Sequence, residues 1–77
     1  MMMFINITME IGATRRDIRI DSDQKILEGL SVLRQSGKLP MGANPDYFRS
    51  RLNQTLVSGN KTFSEENIFD GDIITAV

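Results

Sequence analysis

Apolar and polar side chains alternate through the first part of the chain. The apolar positions are Ile5, Ile7, Met9 and Ile11, and the polar ones are Asn6, Thr8 and Glu10. A period of two is typical of a strand that is buried on one face. A second alternation sets Ile18 and Ile20 between charged residues, and the turn-compatible residues 12–14 separate the two runs. The pattern therefore predicts a β-hairpin whose apolar faces point to the same side.

The spacing of apolar residues becomes helical in the next segment. They recur three or four positions apart, at Ile26, Leu27, Leu30 and Leu33. Such a stripe predicts an amphipathic helix. Residues 21–23 are good N-cap types and predict its start, and Asp23 also suits the positive end of the helix dipole. Arg34 in the last turn and Gly37, which tolerates a left-handed backbone, predict its end.

Gly29 lies in the middle of this predicted helix. A glycine in a helix interior costs about 1 kcal/mol relative to alanine, so its presence needs a reason. Two interpretations stay open from the sequence. The glycine lets the helix approach the sheet closely, or it leaves a groove for a partner.

The second half of the chain carries shorter patterns. They predict an irregular connection, a strand, a returning strand, a single helical turn and a last strand, over residues 38–46, 47–52, 55–57, 62–68 and 73–77. In the strand at 47–52, Phe48, Ser50 and Leu52 alternate with Tyr47, Arg49 and Arg51. Ser64 is predicted to cap the helical turn, with Phe63 and Ile68 as apolar anchors. The Asp70-Gly71 pair is a strong turn signal.

Together these elements predict an α+β fold in which one helix packs across one face of a mixed, four- to five-stranded sheet. The last strand lacks polar alternation, which favours a place with neighbours on both sides. We therefore expect it to pair in parallel with the first strand in mid-sheet, which is the β-grasp arrangement. The length of 77 residues predicts a single domain over residues 1–77.

The composition excludes most catalytic chemistry. The chain has no cysteine and no histidine, so it lacks a thiol nucleophile, the commonest metal ligand and the commonest general base. We expect no enzyme activity, no cofactor and no metal site, and we interpret Asp70-Gly71-Asp72 as a turn before a strand. The net charge of −1 argues against nucleic-acid binding. The start has no basic leading segment and no run approaches a membrane span, so we expect a cytoplasmic protein without membrane insertion.

Two stretches near the end of the chain, Thr62–Ile68 and Asp70–Ile74, resemble the closing segment of ubiquitin-like proteins. Together with the Asn53-Gln54 turn, they look most like the YukD-like proteins, which are small bacterial ubiquitin-like proteins. That family is associated with the type VII (WXG100-type) secretion machinery of Gram-positive bacteria. Its members act there as accessory or regulatory factors and are not known as enzymes. The resemblance thus implies a ubiquitin-like β-grasp domain that binds proteins, including components of the secretion machinery.

Ubiquitin and the sulfur-carrier members of the superfamily use a flexible tail that ends in Gly-Gly. This chain ends on Ala76-Val77, inside the predicted last strand, so we expect that it is not conjugated. The alternative is a sulfur-carrier or protein-modifier whose tail is missing here. A regulatory module unrelated to secretion is the third interpretation. The sequence predicts neither the partner nor the oligomeric state.

The resemblance also implies where a partner would bind. In ubiquitin the outer sheet face carries an apolar patch, and the corresponding positions here are Arg49, Arg51, Ile73 and Thr75. Arg51 replaces the central apolar residue of that patch, which indicates a mixed basic and apolar surface suited to an acidic or amphipathic protein segment. We expect Val77 beside this surface and Arg19 at its rim. The alternative is a solvated strand face without a partner.

Overall fold

Five strands and one helix make up the fold, in a computed structural model that describes residues 3–77. In chain order they are β1 (Phe4–Ile11), β2 (Thr14–Asp21), α1 (Ile26–Gln35), β3 (Tyr47–Ser50), β4 (Thr55–Ser58) and β5 (Ile73–Ala76). Residues 1 and 2 of the predicted domain lie outside the described residues.

The strands form one mixed sheet in the order β2-β1-β5-β3-β4. β5 lies in the middle, parallel to β1 and antiparallel to β3. This is the mid-sheet place predicted for the last strand. Its short length and nearly continuous apolar character fit a strand with neighbours on both sides. The predicted ubiquitin-like β-grasp fold is therefore confirmed.

The hairpin of β1 and β2 follows the alternation in the sequence. The two strands pair from Phe4 opposite Asp21 to Ile11 opposite Thr14, without a bulge. Gly12 enables the two-residue turn with a φ of 57°, a left-handed conformation that glycine adopts readily. Ile5, Ile7 and Met9 are buried on the helix side of the sheet, as the period of two predicts.

The core lies between α1 and one face of the sheet. Its largest fully buried side chains include Phe48, Phe63, Ile26 and Leu30. At Gly29, a Cβ atom would lie 3.0 Å from Ile20 Cδ1 and 3.1 Å from Phe63 Cζ. The glycine thus lets the helix approach the sheet closely, so the first interpretation of Gly29 is confirmed and the partner groove is wrong.

The start of the helix differs from the prediction. Residues 21–23 do not cap it; α1 begins at Ile26, and the Glu28 carboxylate accepts a hydrogen bond from the Lys25 N–H at 3.3 Å. The cause is tertiary: Ser22 O accepts from Ser64 N at 2.9 Å, and Gln24 O accepts from Phe63 N at 3.2 Å. These bonds hold residues 22–24 in a turn and bend against the segment at 62–68, so the helix starts later.

The end of the helix matches the prediction. Gly37 has a φ of 77°. Its N–H donates to Arg34 O at 3.1 Å, and the Lys38 N–H donates to Leu33 O at 2.9 Å. This pair of bonds is the Schellman motif, which satisfies the last carbonyls of a helix.

The segment from Thr62 to Ile68 forms hydrogen-bonded turns and no helix. Its cap is Thr62, whose Oγ1 accepts from the Glu65 N–H at 3.0 Å while Glu65 Oε1 accepts from the Thr62 N–H at 2.9 Å. The predicted capping role of Ser64 is therefore wrong. Phe63 and Ile68 are buried at 0% and 1% exposure, so their role as anchors is confirmed.

Arg34 organises the irregular connection after the helix. Its buried guanidinium donates to the carbonyls of Pro40, Gly42 and Ala43 and to the Asn44 side chain, over 2.8–3.3 Å. The sequence predicts only a charge in the last turn of the helix. In the structure, this side chain also supplies hydrogen-bond donors to backbone carbonyls of the connection, which regular secondary structure would otherwise supply.

Candidate functional site

The outer face of the sheet, opposite α1, brings the four predicted site residues together. Arg49 on β3 lies directly opposite Thr75 on β5. The Arg51 N–H donates to Ile73 O at 3.1 Å, which places these two residues side by side as well. We call Arg49, Arg51, Ile73 and Thr75 the arginine surface. β3 with the turn after it and β5, which are more than 20 residues apart in sequence, thus contribute to one continuous patch.

A buried polar network holds the arginine surface in place. Asp72 is 1% exposed. One of its oxygens accepts from the N–H groups of Leu52 and Ile73 at 3.0 and 2.8 Å, and the other accepts from the Ser50 hydroxyl. Ser50 Oγ in turn accepts from the Asn53 N–H at 3.3 Å. The network links the start of β5 to the turn after β3, which carries Arg51.

Sequence reasoning missed this network, although one signal for it was present. Ser50 stands at an inward position of an apolar alternation, and a polar side chain there needs a buried hydrogen-bond partner. The alternation predicts that Leu52 shares that inward face. It lies instead in the turn after β3 and is 61% exposed. The alternation ends at Ser50 because the chain turns to satisfy Asp72.

Apolar side chains border the arginine surface. Leu56 lies opposite Arg49 across the β3–β4 pair and is 52% exposed. Tyr47 and Val77 are also exposed, and the Val77 N–H donates to Tyr47 O at 3.1 Å. The predicted place of Val77 beside the surface is confirmed. The whole patch therefore joins two cations to aromatic and aliphatic groups.

An open depression of about 620 Å³ lies within this patch. Its lining residues are Glu10, Arg49, Ser50, Arg51, Gln54 and Thr75. Cations line one side of the depression, and a single carboxylate lies across it. Guanidinium groups such as those of its two arginines pair well with carboxylates.

Glu10 is the acidic group of the depression, and its charge is engaged within the chain. Oε1 accepts from the Thr75 hydroxyl at 2.8 Å, and Oε2 pairs with Arg15 at 2.7 Å. The hydrogen bond from Thr75 holds the pKa of Glu10 below its ordinary value, and Arg15 and then Arg51 act in the same direction. Within residues 3–77, the side chains of Arg49 and Arg51 form no hydrogen bond or ion pair of their own. The positive charge of Arg49 and Arg51 is thus not neutralised by a direct ion pair within residues 3–77.

Arg19, predicted at the rim, lies elsewhere. It belongs to β2, which is separated from β3 by β1 and β5. Its guanidinium carbon lies 5.2 Å from the centre of the Phe4 ring. The structure therefore does not bring Arg19 to the arginine surface.

The aspartates around Gly71 bind backbone amides. Asp70 Oδ1 accepts from the Asn6 N–H at 2.7 Å, and Gly71 has a φ of 87°, as the predicted turn before β5 requires. Among residues 3–77 there is no group of three acidic side chains suited to a metal ion. No helix within the same residues has the length and apolar character needed to cross a membrane.

The sheet order and the single helix across it define the fold of ubiquitin-like domains. Comparison with solved structures finds the EccD5 ubiquitin-like domain from Mycobacterium xenopi, at 17% sequence identity and a TM-score of 0.58. The match covers 97% of this chain and 93% of that one. It shows a shared fold. No protein-family model and no curated protein matches the chain.

Proposed function

We propose that this protein is a non-enzymatic, ubiquitin-like binding module of the YukD-like kind, and that it serves as an accessory or regulatory factor of a bacterial type VII secretion system. It acts in the cytoplasm by binding a protein component of that system. Binding is non-covalent, and the chain is not conjugated. The arginine surface is the contact site, and the partner presents an acidic or amphipathic segment.

One observation carries this proposal. Arg49 and Arg51 stand on an exposed sheet face beside Leu56, Tyr47 and Val77, and neither arginine has a partner within residues 3–77. Guanidinium groups and aromatic residues are enriched in protein interfaces. A carboxylate of the partner would pair with the arginines, and its apolar neighbours would cover the exposed side chains.

The structural likeness supports the link to secretion. EccD5 is a component of a type VII secretion system, and its ubiquitin-like domain has this fold. The resemblance of the closing segment to YukD-like proteins favours the same setting. Because fold alone does not define function, the identity of the bound partner decides whether the protein belongs to a secretion system.

A pull-down from the native host tests the surface. The Arg49→Glu/Arg51→Glu variant should lose the partner that the wild type retains, because both cations become repulsive to an acidic segment. A Lys38→Glu/Lys61→Glu variant changes the charge equally at exposed positions in loops away from the arginine surface. It should retain the partner. Equal retention by both variants would remove the arginine surface as the contact site.

Two further observations separate the alternative functions. A gene neighbourhood without a membrane ATPase and small WXG100-type substrates would favour a regulatory module unrelated to secretion. The mass of the protein from its native host tests the carrier alternative, because a chain that continues beyond Val77 to Gly-Gly would favour a sulfur-carrier or modifier.

A further inference from the structure

The sheet has two edges, and they are protected to different degrees. β4 is four residues long, and the Ser58 N–H on its free side donates to Glu66 Oε2 at 2.8 Å. β2 is eight residues long, has no bulge or proline, and pairs only with β1 among the described residues 3–77. A long, regular and unpaired edge is a template for adding another strand.

The hydrogen bonds between β1 and β2 show which backbone N–H and C=O groups lie on the free side of β2. The Ser22 N–H donates to Met3 O at 2.8 Å, just beyond the β1–β2 register. Hydrogen-bonded and non-hydrogen-bonded pairs alternate in an antiparallel ladder, so the even-numbered residues of β2 bond to β1. The N–H and C=O groups of Asp17 and Arg19 therefore point outward. The described part of the chain offers these groups no partner.

The side chains on the outer face of β2 alternate in charge. They are Arg15, Asp17, Arg19 and Asp21. In an antiparallel pairing of two copies centred on Ile18, Asp17 faces the other copy's Arg19, and Arg15 faces its Asp21. All four cross-strand pairs on this face then join opposite charges, which stabilises strand pairing. Centring the pairing on Asp17 or Arg19 instead would set like charges opposite each other.

The same register also covers apolar surface on the helix side. Ile18, Ile20 and Val32 help to line an open groove of about 360 Å³ between β2 and α1, and Val32 is 51% exposed. The centred pairing sets Ile18 against Ile18 of the second copy. In a two-fold symmetric (isologous) contact of this kind, every interaction between different residues occurs twice.

We infer that β2 is a self-association edge: two copies of this chain pair antiparallel through β2, centred on Ile18, and join their sheets into one. The occupant is a second copy because the charge alternation of β2 is complementary to itself in this register. The inference is independent of the proposed function, since the arginine surface lies on β3, the turn after it and β5, and β1 and β5 separate β3 from β2.

The test exchanges charges across the contact. Asp17→Arg alone sets two arginines opposite each other across the dimer, and Arg19→Asp alone sets two aspartates opposite each other. The double variant Asp17→Arg/Arg19→Asp restores opposite charges. Sedimentation velocity at micromolar to millimolar concentration measures the dimer dissociation constant of each protein. Circular dichroism of each variant checks that it remains folded.

The wild type should dimerise, and each single variant should weaken the dimer by about 10-fold or more, because two attractive pairs become repulsive. The double variant should recover, and an equal mixture of the two single variants should form a mixed dimer. A wild type that stays monomeric at millimolar concentration would overturn the inference. A dimer that all variants form equally well would also overturn it.

Discussion

The two faces of the sheet are built from the same strands and differ in what their side chains bind. On the helix side, Ile7, Phe48 and Ile74 are at most 3% exposed and pack against α1. On the outer side, Arg49 and Leu56 are exposed, and the arginine has no partner within residues 3–77. The inner face thus contributes stability, and the outer face is available for binding. Substitutions on the two faces should therefore change different measurements.

The largest effect is expected in the core that covers the inner face, to which the segment from Thr62 to Ile68 contributes Phe63. Phe63→Ala should lower the free energy of unfolding by about 3–5 kcal/mol, because it removes a fully buried ring and leaves a cavity. That loss is a large part of the stability of a small domain. Urea unfolding followed by circular dichroism measures it. Leu56→Ala on the outer face is the control and should change the value by less than about 0.5 kcal/mol. Equal losses would contradict the division between the faces.

The next effect concerns Asp72, which connects the two faces. Asp72→Ala should lower the free energy of unfolding by about 1–3 kcal/mol, because the buried Ser50 hydroxyl and the partly buried N–H groups of Leu52 and Ile73 lose their acceptor. A double-mutant cycle with Ser50→Ala measures the coupling between the two side chains. Strictly additive losses would show that the hydrogen bond does not contribute to the network.

These residues also show what the sequence could predict. The period of two in β1 and the missing alternation in β5 predict the sheet, because both reflect local burial. The cost of Gly29 in a helix indicates either a close helix–sheet contact or a groove, and the structure decides for the contact. The Ser50–Asp72 bond joins residues 22 positions apart, and no local pattern encodes such a pair.

The errors have related causes. The helix start was predicted from good cap residues, but residues 22–24 are bound to Phe63 and Ser64. Arg34 lies in the last helical turn as predicted, but the sequence does not show that it binds carbonyls of the following connection. For the arginine surface, alternation predicts which side chains share a face. Only the strand order shows that Arg19 lies away from it.

A smaller effect on stability is expected on the outer face. Arg49→Glu/Arg51→Glu should change the free energy of unfolding by less than about 1 kcal/mol, since exposed charges without partners contribute little. Thermal unfolding of the variant checks this and also serves as a folding control for the pull-down. A loss as large as that of Asp72→Ala would mean that these arginines belong to the structural framework.

The smallest effect concerns pH. The pKa of Glu10 is lowered in the folded chain, first by the Thr75 hydrogen bond and then by Arg15. The unfolded state therefore binds the proton more readily, so stability from Glu10 is present above the ordinary glutamate pKa of about 4.3 and is lost as pH falls through the folded value. Glu10→Gln should make the unfolding midpoint less dependent on pH below about 4.3. An unchanged acid dependence would show that Glu10 contributes nothing there.

Site-specific photo-crosslinking in the native host tests the central claim most directly. A photoreactive residue at Leu56, beside Arg49, reports on the outer face, and one at the exposed Ser31 on α1 is the matched control. We predict that the Leu56 probe captures a component of the secretion machinery, that Arg49→Glu/Arg51→Glu abolishes this product, and that the Ser31 probe does not form it. The same product from both positions, or capture that survives the charge reversal, would contradict the assignment of the arginine surface as the binding site.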